Sequence, residues 1–246
     1  MLMSLEIIPV TVDKEIKKGD DLAKVFTSSY KGLTDGDVIV VSQKIISKQE
    51  GRLVDLAGVI PSILAVGIAT EYEKDPRLME VILSETRRII RMENRIIISE
   101  TRHGFICANA GVDESNLPHG FAAMLPENSD ASASALRLSL QGMTGKKIAV
   151  LVADTFGRPF REGQTNCAIG VSGMAPINDY AGTKDTFDRT LRTTAIAEAD
   201  ELCAAAELVM KKTKGCPFVV IRNFAFTPSD GTSRPLIRAE KADLFR

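Results

Sequence analysis

The stretch IAVLVADTFGRPFREGQTN, residues 148–166, decides how this chain is read. Residues 148–152 form an unbroken apolar run, the pattern of a short buried strand ended by polar residues. Asp154 and Thr155 then put a carboxylate and a hydroxyl together where that strand is expected to meet a loop. Arg158 and Arg161 follow, spaced by Pro159 and Phe160, and Glu162 adds a second carboxylate. A segment with this content can hold a cation, grip phosphate oxygens and stay rigid, although ion-paired surface loops share part of the composition.

Two other strand ends carry similar chemistry. Residues 38–41, VIVV, are a second continuous apolar run, expected to be buried on both faces, entered from the Asp35-Gly36 turn. Its end presents Ser42, Gln43, Lys44 and Lys48, which suit either a phosphate site or a solvated strand exit. Residues 105–108 read as a strand, and the turn at 109–111 delivers Asp113, Glu114 and Asn116. Hard cations are held by one or two such carboxylates plus substrate phosphates, and Asp113 with Asp154 makes a minimal pair. An Asx-turn would explain Asp113 or Asn116 singly, but not acids at two separate strand ends.

The remaining pattern alternates strands and helices. Strands are expected at 5–12, 95–99, 167–174 and 217–221, and helices at 21–28 and 131–140. Asp75-Pro76 is an N-cap and first-turn pair that opens a helix running to Ile90, with Arg87, Arg88 and Arg91 in its last turn. An alanine-rich helix is expected over 189–212, capped at Gly215, followed after the last strand by a loop-rich tail.

Composition excludes several classes. Lys and Arg total 31 against 32 for Asp and Glu, so the balance gives no nucleic-acid footprint. Aromatics are 5% with no Trp, which argues against stacking platforms for single strands. The four cysteines lack a C-x-x-C pair, so buried free thiols are expected rather than zinc. No run reaches the roughly 18 apolar residues of a membrane helix, and residues 1–12 lack a basic leader, so a cytoplasmic protein is expected. Gly142 to Lys147 misses the phosphate-loop spacing, and neither His103 nor His119 has a nucleophile beside it. The residues point to an enzyme of divalent metal and nucleotide or phosphate chemistry, and periodicity is silent on the acceptor.

The blocks VSQKIISKQEGR, KDPRLMEVILSETRRIIR, ETRHGFICANAGVDESN, DTFGRPFREGQTN and DLFR, in that order along nearly the whole chain, resemble the γ-glutamyl ligases of coenzyme F420. That resemblance implies an α+β fold of mixed sheets with packed helices, one catalytic module and a homodimer. It implies GTP-dependent addition of L-glutamate to the terminal carboxylate of a deazaflavin precursor. The cations it implies are two Mg²⁺ or Mn²⁺ ions, with K⁺ as a further one. Asp113 and Asp154 would hold the first ion and Thr155 a second. Gln43, Lys44, Lys48 and Asn116 would contact GTP, with Lys48 at its phosphates. Asp13, Lys14, Glu15 and Ile16 resemble one part of the nucleotide pocket. Met210, Lys211, Lys212, Gly215, Cys216 and Pro217 resemble another. Lys48, Arg158 and Arg161 are the candidates for stabilising charge and holding an anionic substrate. The chain departs from the family pattern at Lys211-Lys212, where a ligand of the second ion would fall. A metal-dependent phosphohydrolase, a paralogous amino-acid ligase and a non-enzymatic nucleotide sensor fit the same residues.

Overall fold

Residues 4–212 and 214–243 are described by the computed structural model. Residues 1–3, Thr213 and the last three residues of the DLFR block lie outside the described residues. The chain begins with β1 (Glu6–Val10), α1 (Leu22–Ser29), β2 (Val38–Ser42) and α2 (Gln43–Glu50). It continues through β3 (Leu53–Asp55), α3 (Ile63–Tyr72), α4 (Pro76–Glu85), β4 (Thr86–Glu93), β5 (Ile96–Thr101), β6 (Ile106–Ala108) and β7 (Phe121–Ala123). Next come α5 (Ser129–Thr144), β8 (Ala149–Arg158) and β9 (Arg161–Ser172). The short β10 (Asn178–Asp179) and β11 (Ala195–Ile196), α6 (Glu198–Met210) and β12 (Phe218–Arg222) complete the order.

The apolar runs at 38–41 and 148–152, and the apolar strand at 218–221, need cover on both faces, and they receive it. They are the inner strands of a mixed sheet ordered β1-β12-β2-β8-β9, in which β2 and β8 run parallel and the other neighbours antiparallel. Ile39, Val41, Val150, Val152, Phe218 and Val220 turn to one face, against α1, α5 and Ile46 of α2. Val38, Val40, Leu151, Val219 and Ile221 turn to the other, against α6. A third core joins α3 and α4 to Ile97 of β5 and Ala122 of β7. The architecture is α+β, as the sequence leads one to expect. No helix among the described residues is long and apolar enough to cross a membrane.

Gly170 sets how closely α5 approaches β9. A Cβ there would lie 2.3 Å from the Ser129 carbonyl oxygen at the start of α5. Gly170→Ala is therefore expected to cost about 1–3 kcal/mol by overpacking. A thermal melt should show a drop of several degrees, and an unchanged melt would contradict this packing.

Four local expectations change. The helix opened by Asp75 and Pro76, with Asp75 accepting from the Arg77 amide, ends at Glu85 rather than Ile90. Residues 86–93 pair as β4 with β5: β-branched Ile89 stands opposite Ser99, and Ile90 falls in the register shift that follows. Arg87 and Arg88 consequently pair with Glu100 across the sheet instead of serving a helix end. The helix expected over 189–212 begins only at Glu198, where Glu198, Asp200 and Glu201 fill its first turn. It closes at Met210 with Lys211 as its C-cap, so Gly215 is not its cap. β8 does not stop at Val152 but runs through Asp154 and Thr155 into a hairpin with β9, which starts at Arg161 rather than Cys167. Gln43 to Glu50 form a helix directly after β2, where the sequence suggested only a strand exit.

Candidate active site

Parallel strands that end side by side leave their exits open to a ligand. Here Ser42 of β2 pairs with Ala153 of β8, so the N-terminus of α2 and the side chain of Asp154 emerge together. The β8–β9 ladder shifts register between Val152 and Ala153, immediately before Asp154, and such bulges re-aim the side chains that follow. Beyond these exits lies a cavity of about 820 Å³.

Asp113 reaches it from a different direction. Its backbone exchanges hydrogen bonds with Ala123 (Asp113 N to Ala123 O 3.0 Å, Ala123 N to Asp113 O 2.8 Å), which pins the loop after the 109–111 turn. Gly111 in that turn has φ +73°, and a Cβ on it would meet Leu125 at 2.7 Å. The Asp113 carboxylate accepts from Lys44 Nζ at 2.5 Å, Ser115 Oγ at 2.6 Å and the Ser115 amide at 2.8 Å. Burial works to raise its pKa, but the bonds from Lys44 and Ser115 outweigh that and hold it below the usual carboxylate range. Asp154 goes the other way. Burial, with the Asp113 charge adding, pushes it up to about 6 against the Thr155 amide, Lys212 and Lys44. Two carboxylates lining one cavity, one raising the pKa of the other, are a donor set that a hard divalent cation suits. Among the described residues no three His, Cys, Asp or Glu side chains converge on one ion position. An ion held here would take its other ligands from phosphates and water.

Lys44 and Lys48 lie one turn apart on α2, and both line the cavity with side chains only 15% exposed. Lys48 Nζ is 4.0 Å from Glu15. Gln43 also lines the cavity, but its Nε2 donates to Ser47 Oγ at 2.6 Å and Met124 O at 3.2 Å, anchoring α2. The last residue of α6, Met210, and Lys211, Lys212, Gly215, Cys216 and Pro217 after it form another wall. It is tied to the sheet ends by Val12 N to Gly215 O at 2.9 Å and Ser42 N to Pro217 O at 2.9 Å. Asn116 Nδ2 donates to Lys212 O at 3.3 Å, joining that wall to the Asp113 loop. Lys14, Glu15 and Ile16 complete the rim.

Most of the sequence-derived candidates thus meet at one cavity, but three do not. Asp13 is absent from its lining although its three successors are present. Arg158 and Arg161 face each other at the β8–β9 hairpin tip, and neither lines the cavity. Arg158 instead donates to the backbone carbonyls of Glu162 and Gly163 across its own turn. Pro159 and Phe160 form that turn, with Phe160 at φ +60°. Conversely, Asn166, Glu207, Ser115 and Cys107 line the cavity without having been singled out. Asn166 stands opposite Thr155 in the hairpin, a pairing the two-residue period would disclose once the hairpin is recognised. Burial pushes the Cys107 thiol up to about 12, with the Asp154 charge adding, so it is neutral and no nucleophile.

The second ion position does not fit. Thr155 Oγ1 accepts a 2.5 Å hydrogen bond from Lys212 Nζ, and an ammonium cannot ligate a cation.

Comparison with known proteins agrees with the resemblance. Residues 12–223 match the family model F420-0:Gamma-glutamyl ligase. The chain is 45% identical to the coenzyme F420:L-glutamate ligase of Methanothermobacter thermautotrophicus, over 99% of this chain and 100% of that protein. It is 44% identical to the coenzyme F420:L-glutamate ligase of Methanocaldococcus jannaschii, over 87% and 86% of the two chains. The corresponding protein of Methanopyrus kandleri is 42% identical, over 100% and 99%. The chain belongs to the F420-0:gamma-glutamyl ligase family and is a ligase of that type.

Proposed function

We propose that this chain uses GTP and a divalent cation to join L-glutamate, through its amine, to the terminal carboxylate of a deazaflavin coenzyme precursor. The observation that carries the proposal is the convergence of Asp113 and Asp154 with Lys44 and Lys48 at the exits of β2 and β8. The cavity's volume of about 820 Å³ suits a nucleotide, and the N-terminus of α2, whose N-cap Ser42 makes no side-chain cap hydrogen bond, lines it where phosphate would be favoured. The family and its relatives' names support glutamate as the joined group.

In the first step an oxygen of the acceptor carboxylate attacks the γ-phosphorus of GTP, the bond to the β–γ bridging oxygen breaks, and an acyl phosphate and GDP result. In the second, the glutamate amine attacks the acyl carbon, phosphate leaves, and the nitrogen loses a proton to give the amide. Asp113 and Asp154 would hold one Mg²⁺ or Mn²⁺ ion, which supplies charge neutralisation at the phosphates when bound. Lys48 offsets charge on the transferred group, and its low exposure strengthens that interaction. Arg158 and Arg161, at the hairpin tip and outside the cavity lining, would hold an anionic part of the acceptor that extends beyond the cavity. The chain would work as one module in a cytoplasmic homodimer, and the exposed Ile60, Ile63 and Leu64 at the start of α3 suit a subunit contact.

An acceptor labelled with ¹⁸O in its carboxylate tests the chemistry. One labelled oxygen should pass to the released phosphate; unlabelled phosphate with amide formed would rule out the acyl phosphate. Lys48→Met should raise the KM for GTP by about tenfold or more, the value of a charged hydrogen bond, while the KM for glutamate stays near wild type. Steady-state kinetics varying each substrate would check this, and an unchanged GTP KM would remove Lys48 from the nucleotide.

A further inference from the structure

The cavity has two charged poles, and they are built differently. At the first, Lys44 is bound to Asp113, and Asp154 adds a second carboxylate. At the second, Thr155, Asn166, Glu207 and Lys212 close a ring of four. Lys212 Nζ donates to Thr155 Oγ1 at 2.5 Å and lies 3.5 Å from Glu207 Oε1. Thr155 Oγ1 donates to Asn166 Oδ1 at 2.6 Å, and Asn166 Nδ2 donates to Glu207 Oε2 at 3.0 Å.

The polarity of this ring follows from its one acceptor-only member. The Glu207 carboxylate must receive hydrogen, so the buried Asn166 turns its Nδ2 toward Glu207 and its Oδ1 toward Thr155. The Thr155 hydroxyl must then give its single proton to Asn166, which leaves its lone pairs facing the cavity. Those lone pairs are what a cation would use, and Lys212 has taken one of them. Glu207, the only carboxylate in the ring, is already shared between Asn166 and Lys212.

We infer that Lys212 is a built-in cation at this pole, contacting the nucleotide phosphates directly, and that each chain binds one divalent ion with its nucleotide rather than two. This rests on the nucleotide reading of the cavity proposed above. A fixed ammonium neutralises phosphate charge as a divalent ion would, but without needing a ligand shell. The backbone places it: Lys211 turns the chain at φ 49° as α6 ends, and the Lys212 carbonyl is held by Asn116.

The experiment counts Mn²⁺ bound per chain, by electron paramagnetic resonance of free Mn²⁺, in the presence of guanosine 5′-[β,γ-imido]triphosphate. Wild type should take up one nucleotide-dependent ion. Lys212→Gln, which frees the Thr155 lone pair and supplies an amide oxygen, should take up two. Without divalent ions the same variant should bind the analogue about tenfold or more weakly than wild type, as loss of a charged hydrogen bond to phosphate requires. Two ions in wild type, or a count of one in Lys212→Gln, would overturn this inference and leave the nucleotide reading intact. Absence of any nucleotide-dependent Mn²⁺ uptake in wild type would overturn both.

Discussion

Asp154→Asn should abolish ligation and, without metal at neutral pH, give a more stable protein than wild type. Asp154 is one of the two carboxylates proposed to hold the ion, so on that proposal replacing it should lower turnover by about 10³-fold or more, the scale of losing a key electrostatic stabiliser. The stability change follows from its pKa, pushed up to about 6 mainly by burial. The folded state therefore holds a proton at pH values where the unfolded chain, with the ordinary carboxyl value of 3.8, has lost it. Stability then falls as pH rises through the window between those two values, and above it the buried charge costs about 1–3 kcal/mol, discounted for the wet cavity. Asparagine removes that cost. In metal-free buffer at pH 7.5 the variant should melt several degrees above wild type, at about 2–4 °C per kcal/mol. Mn²⁺ added to nucleotide already present should raise the wild-type melt further and leave that of the variant nearly unmoved. A variant with wild-type turnover, or one melting lower than metal-free wild type, would contradict the assignment.

Arg222→Met should destabilise the protein most. Asp37 is 1% exposed and accepts from Arg222 Nε at 2.9 Å and Nη2 at 2.7 Å, and from the Thr34 amide and hydroxyl. Arg222 also donates to Gly32 O at 2.6 Å, so it ties the end of β12 to the turn that starts β2. Methionine keeps the stem but leaves a buried carboxylate without its cation, a change that costs about 3–5 kcal/mol. The melt should drop by more than about 6 °C. Adding Asp37→Leu should restore much of the loss, because the uncompensated charge rather than the missing contact carries the penalty. Since Arg222 does not line the cavity, kcat measured well below the melt should hold near wild type. If the single variant melts with wild type, the pair contributes nothing and the reasoning fails.

Continuous apolar runs were enough to locate the inner strands, because a strand covered on both faces leaves no other pattern. The acids and lysines at their ends were legible for the same reason: polar groups immediately beyond such a run have only the sheet's edge to occupy. Boundaries were harder. Ile89 and Ile90 suit a helical face and a strand equally, and pairing with β5 decides between them. Asp154 looked like a loop residue because polarity rises there, yet the hairpin continues across a cavity, where polar side chains need no loop. Glu207 gave no local signal at all. Its role depends on α6 lying against β9, a long-range contact, as does the closing of the ring by Lys212.

The most direct test incubates the protein with GTP, Mn²⁺, L-glutamate and the deazaflavin precursor, then reads the product by mass spectrometry. The account predicts a precursor heavier by one glutamyl unit or more, with GDP formed over many turnovers only when both precursor and glutamate are present, and at most about one GDP per chain with precursor alone. GDP release with no gain in precursor mass would contradict it and identify the cavity as a site of hydrolysis.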